Sequence, residues 1–332
     1  MLKALVNEAR LHLDITTTGP LLVKTGYATV IGPDMAPVET YRNGRKEVYL
    51  PGSSLKGIFR SHIEKVINSI KPQVACNPFQ GPNDRSDKLY RRSCGSHPDF
   101  NIKTLSHLVY AGSCPTCRLF GSTQFAGRLA VQDAYLSEND KERTLIERRD
   151  GIGIDRLTGG TISKAKFDLA TVTADTTFST MLHLRNFEIW QLGLLFVIIQ
   201  DMEDELIRIG SGRSRGLGKV TARISEREEG PHQGGVILST TRTSQKSLEP
   251  DHELWGLGHW LDNESELYDT RHDDVLTLSP PMAHTPRGIR NLRIFKGKVP
   301  DNFRGQCIED FVTRMQEWTN ALPAATATRQ KG

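Results

Sequence analysis

Pro51-Gly52-Ser53-Ser54-Leu55-Lys56-Gly57-Ile58-Phe59-Arg60 opens the clearest periodic segment of the chain. From there Leu55, Ile58, Phe59, Ile63, Val66, Ile67 and Ile70 recur at steps of three and four, which predicts an amphipathic helix ended by Pro72. Ser53 or Ser54 suits its N-cap. A helix N-terminus with two hydroxyls and spare backbone N–H groups is an anion site. Lys56 and Arg60, four apart, project from one face opposite the apolar stripe. A capped helix with a solvated basic face explains the same residues.

Upstream of this helix, Leu11, Leu13 and Ile15 alternate with His12, Asp14 and Thr16, the period of a half-buried strand. Gly19–Pro37 is too irregular for either element, and Glu47–Leu50 reads as a short strand. Downstream, residues 76–127 are rich in Gly, Pro, Ser, Asn and Cys and form an insertion that needs something besides an apolar core. Leu129–Leu136 and Thr177–Arg185 read as strands, with Glu142–Lys166 an exposed excursion between them. Phe187–Ile209 reads as a helix, and Val220, Ala222 and Ile224 lie on one face of a last strand. Trp190, Phe196, Ile198 and Ile199 are most simply core. The order strand, helix, insertion, strand, strand, helix, strand predicts an α+β fold of the split βαβ, or ferredoxin-like, kind. After about Gly230 the pattern weakens, and no internal repeat is visible.

Gly210-Ser211-Gly212-Arg213-Ser214-Arg215-Gly216-Leu217-Gly218 joins that helix to that strand. Its four glycines permit positive φ and close backbone approach, and its free N–H groups with Arg213 and Arg215 would cradle phosphate. A nucleotide-binding fingerprint runs from strand into helix, the opposite direction. A flexible connector with solvated arginines is the plainer reading.

Cys76, Cys94, Cys114 and Cys117 fall within 42 of the 332 residues, and Cys307 stands apart and supports no inference. In a chain without an export signal such clustering points to metal more than to disulfides. Four thiolates around a structural zinc would fold the insertion. His97 or His107 could replace Cys76 or Cys94, and buried free thiols are the alternative.

Composition excludes the extremes: 37% hydrophobic and 25% charged residues are those of an ordinary soluble globular protein. The apolar stretch Ile189–Ile199 is too short to span a bilayer, and Met1–Thr18 does not read as a signal peptide. These features argue against membrane insertion and secretion and for the cytoplasm. The net charge of +4 is modest, but Tyr41–Lys71 holds seven basic residues against two acidic, which suits a local polyanion groove. Glu249–Asp274 is acidic and reads as a solvated face, whereas Arg287–Arg304 is basic and offers a further RNA or partner surface.

Taken together, Leu50–Arg60, Gly153–Gly159 and Gly210–Val220 resemble the RAMP superfamily (repeat-associated mysterious proteins), and within it the Csm/Cmr-type backbone subunit of type III CRISPR effector complexes. The resemblance covers about residues 8–228. It implies a ferredoxin-like (RRM-like) core in residues 1–230, with the zinc insertion at 72–128 and a thumb-like hairpin at about 142–168. Residues 231–332 remain an extension of unknown role. It also implies partners: a guide RNA, a target RNA, other type III subunits and further copies of backbone subunits. The guide backbone maps to Ser53, Ser54, Lys56 and Arg60 and to Gly212, Arg213, Ser214, Arg215 and Gly216. Ile154, Asp155 and Arg156 map to the thumb-like hairpin, which intrudes into the guide–target duplex.

In catalytic members an aspartate in the loop before the helix cuts target RNA. Here that is Asp34, with Glu39 a weaker candidate, and Mg2+ or another divalent ion would assist. By pattern alone Gly32-Pro33-Asp34 is an ordinary turn. Two alternatives accompany target cleavage: a non-catalytic scaffold subunit, and a guide-precursor-processing endonuclease using a histidine such as His12, against which the thumb-like segment argues.

Overall fold

The computed structural model describes residues 4–24, 33–80, 89–96, 104–141, 146–226, 235–241, 248–295 and 297–321. Strand β1 (Asn7–Thr17) alternates as expected, with Ala9, Leu11, Leu13 and Ile15 fully buried on one face. The irregular segment that follows leads to a hairpin of β2 (Glu39–Arg42) and β3 (Arg45–Leu50). Its turn residues Asn43 and Gly44 have φ of 50° and 75°, the left-handed pair that a two-residue hairpin turn demands.

Helix α1 (Gly52–Ile70) buries Leu55, Phe59, Ile63 and Ile67 completely. At roughly 1.5–3 kcal/mol for each such side chain, this stripe anchors the helix. The insertion then supplies α2 (Ser106–Ala111), α3 (Pro115–Phe120) and a minimal hairpin, β4 (Gly121–Ser122) with β5 (Phe125–Ala126). The strand expected over Leu129–Leu136 is two: β6 (Leu129–Val131) and β7 (Ala134–Leu136). It breaks because Gln132 and Asp133 leave the ladder, and the Asp133 carboxylate turns to accept the Gly52 N–H at 2.7 Å.

Residues 146–172 form a separate two-stranded hairpin, β8 (Ile146–Ile154) with β9 (Thr161–Val172). Strand β10 (Thr177–Arg185) returns to the sheet and is followed by α4 (Ile189–Glu203). That helix stops short of the expected Ile209. Glu205 takes a φ of 56°, and Arg208 turns back to bridge Lys219, so the chain makes a neck instead of another turn. Strand β11 (Val220–Ile224) completes this part.

β1, the β6–β7 pair, β10 and β11 alternate with α1 and α4 as strand, helix, strand, strand, helix, strand. In the sheet they lie in the order fourth, first, third, second, every pairing antiparallel.

The last hundred residues join this sheet. They contribute β12 (Val236–Thr241), β13 (Glu253–Trp255), α5 (Leu257–Leu261), β14 (Val275–Thr277), β15 (Thr285–Arg287), β16 (Arg290–Phe295) and α6 (Asp301–Ala321). β12 takes the Asn7–Leu11 half of the β1 edge whose other half, Leu13–Thr17, pairs with β11. β16 and β15 extend the sheet beyond it. α6 covers α4, which explains why α4 is apolar nearly all round: one side meets the sheet and the other meets α6. A Cβ at Gly193 would strike the Cys307 carbonyl, so glycine brings the two backbones together. Trp190–Trp318 and Phe196–Phe303 pack edge to face beside that crossing, with ring centroids 4.9 and 5.9 Å apart. No helix of the described residues is long and apolar enough to cross a membrane.

Candidate nucleic-acid groove and cysteine centre

The neck of the glycine-rich loop is tied by Ile209 N–H to Gly218 O at 2.9 Å, and the loop is pinned from below by Ser211 N–H to Leu22 O and Gly218 N–H to Pro20 O, both 2.8 Å. Gly210 and Gly218 have φ of 80° and 82°, and a Cβ at either would collide with the Leu22 or Ile209 carbonyl. Leu217 tucks beneath the loop against Leu22 and Leu169, with Met35 and Phe167 alongside. The amides of Gly212 and Gly216 donate to no acceptor among the described residues.

Across from this loop runs α1, and the space between them is a groove of about 840 Å³ lined by Ser53, Ser54, Lys65, Arg208, Arg213 and Ser214 among others. Neither serine is the N-cap. The helix starts earlier than its apolar periodicity suggests because Gly52, without a Cβ, presses against the Val131 carbonyl and Asp133 holds its amide. Ser53 and Ser54 therefore sit in the first turn, where the dipole and the unbonded N–H groups favour an anion. No acidic residue occupies that turn. Lys24 completes a set of four cations around the groove.

Lys56 and Arg60 face a second groove, of about 900 Å³, on the other flank of α1. There the Lys56 ammonium donates to Leu129 O at 2.8 Å, and burial, then Arg60, pulls its pKa below the usual lysine value. The Arg60 guanidinium donates to Glu64 at 2.7 Å, to Gly121 O at 2.8 Å and to the Cys117 sulfur at 3.3 Å. Arg215 leaves the first groove as well, and stacks over the Phe167 ring at 5.4 Å.

The four clustered cysteines are buried, and their sulfurs lie within 4.8 Å of one another. In a tetrahedral zinc site with bonds of about 2.3 Å the sulfurs are about 3.8 Å apart, so the cluster could hold a metal ion such as zinc. Cys94 Sγ accepts the Cys114 N–H at 3.2 Å, Cys114 Sγ accepts the Cys117 N–H at 3.5 Å, and Arg60 reaches Cys117. Such donors suit thiolates that bind metal. Burial raises the Cys114 pKa, but hydrogen bonds from the other thiols and Thr116 outweigh it and hold it well below the ordinary value. The same contacts push Cys76 and Cys117 up. His107 stands away from the cluster, edge-on to the Tyr268 ring at 5.9 Å. His97 lies outside the described residues.

Asp34 is exposed and docks on the foot of the β8–β9 hairpin through a reciprocal pair of bonds. Its N–H donates to Asp168 Oδ1, and the Asp168 N–H donates to Asp34 Oδ2, each at 3.0 Å. The first of these is the main reason the Asp168 carboxyl sits below its ordinary range. Glu39, by contrast, pairs with Lys46 at 2.6 Å inside the β2–β3 hairpin. At the hairpin tip Asp155 accepts the Leu157 N–H and the Thr158 hydroxyl, both at 3.0 Å, which fixes the turn and leaves Ile154, Arg156 and the 96%-exposed Leu157 outermost. The apolar cluster under Leu217 contains Met35, so the glycine-rich loop, the hairpin foot and the Asp34 segment share one support. His12 lies half-buried on β1, opposite Met181 of β10.

A family model described as the RAMP superfamily matches residues 14–221, well over half of the chain. The chain belongs to the RAMP superfamily. The matched span encloses the groove, the hairpin, Asp34 and the cysteine centre, and ends within β11, so the RAMP match stops where the C-terminal strands begin to be added. Among curated proteins none matches this chain. RAMP membership suggests a CRISPR-associated subunit, and RAMP proteins generally bind CRISPR RNA and other CRISPR subunits.

The groove is lined by residues that the sequence reading passed over, Lys24, Lys65, Arg208 and His62, the last bonded to Asp201 of α4. One signal for Lys65 was available. Ser54, Ile58, Ser61 and Lys65 are spaced three and four apart, so they share a face of α1 next to the apolar stripe.

Proposed function

We propose that this RAMP protein is a guide-RNA-binding backbone subunit of a type III CRISPR effector complex that cleaves complementary target RNA. The observation that carries the reading is the groove in which Ser53 and Ser54, in the first turn of α1, face Arg213 and Ser214 among four lining cations. A polyanionic strand lying there would meet N–H groups, hydroxyls and positive charge, with no carboxylate among the lining residues. In this reading the fourth–first–third–second strand order is the ferredoxin-like core, the β8–β9 hairpin is the thumb that enters the guide–target duplex, and Lys56 and Arg60 face a continuation of the strand's path. The cysteine centre holds a structural zinc, and the subunit works in the cytoplasm beside further copies and other type III subunits.

Cleavage in this reading uses the nucleophile that RNA carries. The target's 2′-oxygen bonds to the adjacent phosphorus and the bond from phosphorus to the 5′-oxygen breaks, giving a 2′,3′-cyclic phosphate and a 5′-hydroxyl. The 2′-hydroxyl proton passes to a base, and the leaving 5′-oxygen takes a proton from water. Asp34 supplies the carboxylate, with Oδ2 fixed by the Asp168 amide. A divalent ion such as Mg2+ would neutralise charge developing on the phosphate.

The test is a gel of guided target cleavage by the assembled complex. Asp34→Ala should bind guide and target and stop cutting at the positions this subunit controls, and a chelator should do the same to the wild type. Normal cutting by Asp34→Ala would place the acid elsewhere, and a wild-type complex that binds target without ever cutting would leave the scaffold role.

A further inference from the structure

The groove between α1 and the glycine-rich loop contains one polar pair that phosphate binding does not use. His62 lines the groove, and its Nε2 lies 2.6 Å from the Asp201 carboxylate on α4. The two side chains are 22% and 20% exposed, partly shielded and reachable from solvent. A carboxylate only accepts, so Nε2 carries a proton, and in the neutral ring Nδ1 is then the acceptor. Nδ1 has no partner among the described residues.

The other ionic side chains around the groove, Lys24, Lys65, Arg208 and Arg213, are all donors. They match phosphate oxygens, so a hydroxyl on the strand would find its acceptor in a serine oxygen or in Nδ1 of His62. The sugar group that needs one is the ribose 2′-hydroxyl, which DNA lacks. His62 lies on α1 between Ser61 and Lys65, both of which line the groove, so a sugar flanked by phosphates on that side would come to the ring.

We infer that His62, oriented by Asp201, accepts the 2′-hydroxyl of a ribose in this groove and makes the groove selective for RNA over DNA. The inference rests on the reading of the groove as the guide site.

The experiment compares binding of an oligouridylate and an oligodeoxyuridylate of equal length to the full-length protein at pH 8. The wild type is expected to favour the ribose strand. His62→Ala should cut that preference by about threefold to tenfold, the worth of one neutral hydrogen bond, by weakening the ribose strand alone. His62→Asn, which brings an amide oxygen within reach of the same hydroxyl, should recover part of it.

An undiminished preference in His62→Ala overturns the inference, whether or not the melting temperature falls. Equal weakening of both strands would make His62 a phosphate contact and overturns it too, as does a His62→Asn variant indistinguishable from Ala. The combined Lys65→Ala, Arg213→Ala variant separates the two levels. If it weakens both strands while the His62 variants leave their ratio alone, only this inference falls. If it binds both strands like the wild type, the groove reading falls with it.

Discussion

The two flanks of α1 carry the same residue types and put them to different use. On one flank Lys65 and, across the groove, Arg213 have no carboxylate partner among the described residues. On the other, Lys56 is bound to a strand carbonyl and Arg60 is shared among Glu64, Gly121 and Cys117. A cation's role is therefore decided less by its spacing along the helix than by what the fold offers it on arrival. The open flank suits a ligand. The engaged flank ties α1 to the cysteine-centred insertion.

The largest expected effect concerns what the engaged flank leans on. Cys114→Ser is expected to remove the metal altogether, by elemental analysis of reduced protein, and to open residues 76–127 to protease while the α4–α6 core keeps its melting transition. Metal-free wild-type protein with an intact insertion would reduce the centre to packed thiols.

Next comes Asp34, itself tied to a neighbour. Asp34→Ala and Asp34→Asn are each expected to slow cleavage by about 100-fold or more, and Asp168→Ala by about tenfold, because Asp34 keeps its carboxylate and loses only the acceptor for its amide. Equal losses in Asp34→Ala and Asp168→Ala would give both acids a direct part.

The comparison itself is sharpened by salt. Arg213→Ala and Lys65→Ala should each weaken guide-RNA binding about fivefold to tenfold and flatten the logarithmic salt dependence by about 0.7 per lost contact. Lys56→Ala should change the slope less. If Lys56 and Arg213 have equal slopes, the contrast between the flanks is broken. Smallest is Arg60→Ala, expected to cost about 1–2 kcal/mol in thermal unfolding, since it leaves the buried Glu64 and the Gly121 carbonyl without their donor. A retained melting temperature would make Arg60 a ligand contact instead.

Much of this is legible in the amino-acid sequence, for specific reasons. The strand at Leu11–Ile15 and the stripe of α1 declare themselves because each buries one face against a large core. The cysteines could be grouped because four of the five crowd into one segment with no apolar core of its own, although their wide spacing hides that Arg60 reaches them from another element. What escaped was set by contacts distant in sequence. Asp133, and not a serine, holds the start of α1 from 81 residues away. His62 finds Asp201 across 139 residues, with no local pattern to announce it. The C-terminal strands looked weak because their hydrophobic faces complete a sheet whose other strands lie far upstream.

That last arrangement has a consequence for how the protein is made. Strand β1, synthesised before its partners, gains its main one only when Thr177–Arg185 has been translated, and the Asn7–Leu11 half of its other edge waits for β12, with Asn7 pairing Thr240. On the ribosome the central strand of the sheet would stand bare while the residues between it and its partners are made, its apolar residues and unpaired amides open to neighbouring nascent chains. A fold with so many long-range pairings should close slowly. Its yield in cells should then follow chaperone supply more closely than the stability of the finished sheet would suggest.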